Sequence, residues 1–307
     1  MVVPSGEQFE INAAGYRAIV TESGAALRVL EHDRRALIDA FDEDAMSFGG
    51  RGQLLMPWPN RIRDGSYEFR GSRQQLGLTE PSRHNASHGL VRWAAWSLEE
   101  HTGNSVSLTC RLMAQSGYPW TLDLHVLYDL SADGLTVSQT ATNLAASPAP
   151  YASGAHPYLC VGAGPVDGWE LRLPAATRSL TDERRLPTGR EGVEGTAYDF
   201  RVARPVRSTA LDDAFTDLLR DDQGRATIEL RDPATGAGVA LWVDEKHPWV
   251  QVFSADDVGA TARRSLAVEP MTARADAFRT GEDLHTLQAA GQDGDEISVS
   301  WGIRALD

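Results

Sequence analysis

Apolar side chains recur at every second position through much of this chain. Val106, Leu108, Cys110 and Leu112 alternate with Ser107, Thr109 and Arg111. Leu122, Leu124, Val126, Tyr128 and Leu130 repeat the pattern, Leu135, Val137 and Ala141 follow, and Ile297, Val299, Trp301 and Ile303 close the chain. A period of two puts every apolar side chain of a strand on one face, so these segments read as strands with one buried side. Further strand-forming segments lie at 169–173, 227–230, 238–243 and 249–253. Turn-forming residues at 101–104, 131–134 and 232–236 separate neighbouring segments by short, regular steps, as in antiparallel hairpins. The expected fold is all-β, a large antiparallel β-sandwich. Helical spacing is scarce, with Asp212–Leu219 and Gly281–Ala289 as the best short candidates. The Arg- and Gly-rich stretch 174–205 reads as a long surface excursion.

With 307 residues the chain is long enough for two domains or one large one. It shows no internal repeat and no low-complexity linker, so one domain over 1–307 is the simpler expectation. A net charge of −14 speaks against a nucleic-acid or anionic-membrane partner, both of which need a positive footprint. Cys110 and Cys160 form no CxxC or Cys/His cluster, so neither a disulfide framework nor a metal site is expected. Residues 1–20 lack an apolar signal region, and no apolar run approaches ~18 residues, so the expected setting is cytoplasmic. No Gly-rich strand-to-helix phosphate loop is visible, and no cofactor is implied. Oligomeric state, monomer or dimer, stays open.

Five segments carry more polar specification than packing needs. In Met56–Gly65, two prolines fix an extended path before Asn60 and Arg61; an amide beside a guanidinium fork suits sugar hydroxyls, or Arg61 makes a structural ion pair. In Asn85–Leu90, Gly89 suggests a tight backbone presenting His88, which could equally be an ordinary loop histidine. In Gly154–Tyr158, Pro157 biases His156 toward an extended conformation that can aim the ring into a cleft, although His247-Pro248 shares that pattern. Asp212 and Gln251 could each grip a hydroxyl, or serve as a helix cap and an exposed strand residue. In Leu266–Met271 an apolar run delivers Glu269 to an expected strand end, with Pro270 stopping the ladder; a carboxylate there is costly to bury unless paired or useful.

Together these segments resemble the aldose 1-epimerase (galactose mutarotase) family. The matching stretches are PWPNRIRDG (57–65), NASHGLVRW (85–93), GAHPYL (154–159), LDDAF (211–215), WVQVF (249–253) and VEPMTARADAF (268–278), in the family's order and over most of the chain. The resemblance implies the galactose mutarotase-like supersandwich and a monosaccharide substrate, with Glu269 as catalytic base and His156 as catalytic acid. It further implies Arg61 and His88 as substrate-binding residues, with Asp212, Gln251 and Asn60 beside them. Asp213 leaves the register of Asp212 open.

Interconverting α and β anomers requires one proton to leave the C1 hydroxyl and one to reach the ring oxygen. A carboxylate and an imidazole meet that need without metal or redox chemistry, and a nearby carboxylate is expected to keep His156 charged near neutrality. Trp58, Trp93 and Tyr158 offer apolar faces for a sugar ring. Three other readings stay open. An anionic hexose, 6-phosphate or 6-sulfo, would use an arginine pocket of Arg61, Arg63, Arg83 and Arg92. A non-catalytic carbohydrate binder could share the fold. A glycoside hydrolase would pair Asp212 with Glu269 but leave His156 without a role.

Overall fold

The computed structural model describes residues 2–256 and 259–306, and counts of elements refer to these residues. The alternating segments form the centre of a nine-stranded antiparallel sheet. Its order runs Ser97–His101, Ser105–Leu112, Leu122–Ser131, Gly134–Asn143, Glu296–Leu306, Gly238–Val243, Ala226–Arg231, Glu170–Arg172 and Arg204–Pro205. In Leu122–Leu130 the odd and even positions differ in burial as the period requires, Leu124, Val126 and Tyr128 buried and His125 and Asp129 partly exposed.

An eight-stranded sheet faces it, with Pro187–Gly192, Ala175–Thr181, Asp212–Leu218, Trp249–Phe253, Leu266–Met271, Gly154–Ala155 and Leu54–Leu55 in order, and Tyr158–Leu159 also on Leu266–Met271. Side chains of both sheets enter one continuous core: Val106, Leu108, Val126 and Val137 from the first, Phe215, Val250, Val252 and Val268 from the second. The N-terminal sheet Gln8–Ala13, Tyr16–Thr21, Leu27–His32, Arg35–Ala36 joins that core through Phe9, Ile11 and Leu30. Small ribbons complete the fold, among them Arg61–Arg63 against Asn85–Ser87.

Four local expectations are corrected. Asp212–Leu218 is a strand, not a helix, because Ala175–Thr181 and Trp249–Phe253 supply ladder partners on both sides. Within 281–289 only the strand His285–Leu287 is regular, and the one α-helix among the described residues is Ala277–Thr280. The stretch 174–205 is no surface excursion, since Ala175–Thr181 and Pro187–Gly192 form a hairpin at the edge of the eight-stranded sheet. Pro270 does not stop its strand: Val250 pairs with Pro270 and Trp249 with Met271. Val268, two residues earlier, donates its amide to Pro157 at 3.1 Å. The donor missing at Pro270 therefore falls on the side of the short, interrupted strands around His156, where a break in the ladder costs least.

Candidate active site

The register of the eight-stranded sheet assembles the site. Gln251 is the direct cross-strand partner of both Ala214 and Glu269. Gly154 pairs with Met271 and Tyr158 with Ala267, so His156 sits opposite Glu269 in the gap between two short strands. Gln251, Glu269 and His156 thus form one row across three neighbouring segments. Asp212 lies two residues from Ala214 and shares its face. Its Oδ1 accepts a hydrogen bond from Gln251 Nε2 at 2.8 Å. Asp213 points to the other face, where Arg178 Nη1 donates to it at 3.0 Å. The period of two therefore resolves which of the adjacent aspartates faces the site.

Arg61 and His88 arrive from the ribbon beside this sheet. His88 donates its amide to the Asn60 carbonyl at 2.8 Å, and Asn60 Nδ2 reaches Gln251 Oε1 at 3.4 Å. Both Asn60 (φ 55°) and His88 (φ 61°) adopt the left-handed region, as does Gly89 (φ 74°). A Cβ on Gly89 would stand 2.0 Å from the Met56 carbonyl oxygen, so only glycine lets the two backbones approach this closely. This is the tight backbone that turns the His88 ring inward, with its centroid 5.5 Å from that of His156, edge to face.

All seven residues singled out from the sequence, Asn60, Arg61, His88, His156, Asp212, Gln251 and Glu269, line one cavity of about 290 Å³. Tyr158 and the half-exposed Trp93 also line it, whereas Trp58 does not; Trp58 is buried against Phe278 in the core. Neither Gln251 nor Glu269 is exposed, at 5% and 3%. His247, in the second His-Pro pair, is fully buried elsewhere and bonds Asp244 at 2.7 Å. Among the described residues, no three His, Cys, Asp or Glu side chains group as metal ligands.

Glu80, Gly49 and Gly50 are among the cavity residues that carried no usable sequence signal. Glu80 grips Arg61 in a two-point ion pair, at 2.8 Å from Nε and 3.0 Å from Nη2, and also accepts from Arg83 and Asn85. Burial pushes the Glu80 carboxyl up, but these donors outweigh it and hold it at about 2. Gly49 and Gly50 form part of the wall, and a Cβ on Gly50 would lie 2.7 Å from His156 Cδ2. Arg63, expected in an arginine pocket, does not line the cavity and lies 3.7 Å from both Asp182 and Asp276.

His156 Nε2 lies 3.3 Å from Glu269 Oε1. The expectation of a charged imidazole is opposed by burial. Burial pushes His156 down to about 3, with Arg92, Arg51 and Arg61 adding to the effect. Burial likewise pushes the Glu269 carboxyl well above its ordinary value, helped by Asp212 and opposed by Arg61. Removing both groups from water disfavours both charges, so burial pushes the pair toward a carboxylic acid facing a neutral imidazole. His88 is held neutral for the same reasons, burial first and then the charges of His156, Arg92 and Arg61.

Residues 7–294 match the aldose 1-epimerase family. The uncharacterized protein YihR of Escherichia coli (strain K12) is 35% identical over 286 residues, covering 93% of this chain and 90% of that protein. Among solved structures, the GalM/aldose epimerase homologue from C. elegans superposes with a TM-score of 0.84 at 18% identity, over 98% of this chain and 99% of the other. Galactose 1-epimerase from Lactobacillus acidophilus NCFM gives 0.80 at 19% identity, over 96% and 93%. At those identities the two structures establish the shared galactose mutarotase-like fold.

Proposed function

Since the chain belongs to the aldose 1-epimerase family and has a sugar epimerase role, we propose that it interconverts the α and β anomers of a free aldose by acid/base-catalysed ring opening and closure. The observation that carries this reading is the Glu269–His156 pair: two titratable groups 3.3 Å apart, both buried, on one wall of a sugar-sized cavity. C1 of an aldopyranose bears both oxygens that exchange protons, the hydroxyl and the ring oxygen. A sugar presenting C1 to this wall meets one donor and one acceptor. Glu269, as a carboxylate, takes the C1 hydroxyl proton while the protonated His156 delivers one to the ring oxygen. That charged arrangement differs from the neutral pair by one proton moved from Glu269 to His156, a shift favoured once sugar hydroxyls hydrogen-bond to the two charged side chains. Rotation about C1–C2 and the reverse transfers close the ring on the other face. Arg61, His88, Asp212, Gln251 and Asn60 hold the sugar, and Glu80 fixes the Arg61 fork.

Polarimetry on freshly dissolved α-glucose and α-galactose tests the reading, with acceleration over buffer as the expected result. Silence on both, with binding intact, would favour a non-catalytic carbohydrate binder.

The pH dependence follows from the pair's proton count. Adding a proton to His156 removes the acceptor, and this happens only on approach to about 3. Losing the proton from Glu269 removes the donor, and this happens well above 4.5. After subtraction of the spontaneous rate, kcat/KM should show no acid limb in the ordinary imidazole range, and its basic limb should lie above the ordinary carboxyl range. An acid limb centred near 6.5 would indicate an unperturbed histidine and contradict this assignment.

One observation favours a second substrate class, an anionic hexose. Arg61 and Arg83 are both held by Glu80. Arg92 lines the same cavity, is held below its ordinary value by burial, and has no carboxylate within ion-pair distance among the described residues. Its charge acts on both His88 and His156. In a hexose the ring oxygen and C6 share one carbon, C5. A sugar presenting its ring oxygen to His156 therefore carries its C6 substituent nearby. If that substituent is anionic, Arg92→Ala should raise KM for glucose 6-phosphate by roughly 10- to 100-fold and leave glucose nearly unchanged, read by NMR exchange. Equal effects on both sugars would remove the anion site.

A further inference from the structure

Arg51 is 1% exposed and does not line the cavity, yet everything around it leads to His156. Its guanidinium donates to Asp39 Oδ2 from Nε at 3.1 Å and Nη2 at 2.9 Å. Its Cζ lies 4.1 Å from the Phe48 ring centroid and 4.2 Å from that of Tyr158. The Tyr158 ring stacks on the His156 imidazole, with centroids 5.0 Å apart and planes 18° apart. Tyr158 Oη donates to the Gly49 carbonyl at 2.7 Å, and the Asp39 amide donates to the Tyr158 carbonyl at 2.8 Å. The segment carrying Arg51 also brackets the His156 backbone: Gly52 N donates to His156 O and His156 N donates to Gln53 O, each at 3.0 Å.

We infer that Arg51 is a positioning residue for His156, its ion pair with Asp39 pinning residues 49–53 and the Tyr158 ring against the imidazole. A two-point ion pair fixes direction as well as distance, and stacking on a flat ring transmits that direction to the next ring. The imidazole needs such support because its Nδ1 is buried without a hydrogen-bond partner among the described residues. In most catalytic histidines the second ring nitrogen is oriented by a carboxylate or carbonyl. Here the ring is steered from its face instead. Arg51 also adds a positive charge to the set around His156, which comprises Glu269, His88, Arg61 and Arg92, with Asp212 acting on Glu269. The inference rests on the acid/base reading of His156.

The test compares Arg51→Met and Arg51→Lys, each alone and in a His156→Ala background. Asp39 keeps Arg264 and Ser265 as partners in either variant, so its carboxylate is not left unpaired. For Arg51→Met, kcat should fall on the order of 10²-fold with KM within a few-fold, as expected when a reacting group is misplaced by about 1 Å. In ¹⁵N-labelled, sugar-free protein, the His156 protonation midpoint should move up, because a neighbouring cation is gone. Arg51→Lys should keep the midpoint and still lose kcat, because the charge stays while the planar fork does not. In the His156→Ala background neither substitution should lower the residual rate further. The inference is overturned if the losses multiply in that background, or if Arg51→Met leaves the midpoint and kcat unchanged. If Arg51→Met does not fold, the Arg51→Lys pair of measurements decides alone. An inactive wild-type protein would defeat the acid/base reading, whereas the sugar-free titration would still report on Arg51.

Discussion

Glu269→Gln should bind sugar with near-normal affinity and lose about 10²–10⁴-fold in the rate of anomer exchange. The amide keeps the shape of the carboxyl and its place in the row beside Gln251 and His156. What it loses is the ability to release and regain a proton, the one property the reaction needs from this position. Stability should not suffer. The wild-type side chain is 3% exposed and burial already drives it toward its neutral form, so replacement by a neutral amide leaves no new buried charge. The expected pattern is a melting temperature equal to or above the wild type, retained binding by calorimetry, and exchange near the spontaneous rate by NMR. Near-normal exchange would remove Glu269 as the proton-transfer group.

His156→Ala should produce a loss of the same order, with a different signature. Truncation empties the space between Tyr158, Gly50 and the His88 ring, so some stability is lost along with the acid. The vacated space is shaped for an imidazole, and added imidazole should restore part of the rate in a concentration-dependent way. Because the two groups act as a unit on one substrate, Glu269→Gln combined with His156→Ala should cost little more than either change alone. Multiplying losses, or no response to imidazole with sugar binding intact, would separate His156 from the proton transfer.

Much of the site can be read from the sequence because its residues sit in short segments of fixed local geometry. Pro57 and Pro59 frame Asn60 and Arg61, Gly89 marks the backbone approach that turns His88, and the buried run around Glu269 shows a carboxyl that packing alone does not call for. Local pattern fails where two periods fit the same letters. In Asp212–Leu219 the apolar residues at 214, 215, 218 and 219 follow helical spacing, yet both helix and strand are open to so short a segment, and the two flanking strands decide. Pro270 reads as a stop because proline lacks a backbone N–H, yet here the ladder on that side is already broken. Glu80 and Arg51 are invisible for another reason. Each acts through partners distant in the chain or set by a fold not yet known, Arg61 for one and Asp39 with Tyr158 for the other.

The sequence by itself determined the all-β class and the central strands of the larger sheet, and its resemblance to the family singled out seven of the residues that meet at the cavity. Alternation and turn chemistry are local properties, and they need only neighbouring residues to be read. The tertiary structure alone decided which aspartate faces the cavity, which arginines are neutralised, and which way burial pushes His156 and Glu269. Those outcomes depend on register and on exclusion of water. The sequence reading expected the carboxylate to hold His156 charged; burial of both groups in one wall opposes that attraction, pushing His156 down and Glu269 up.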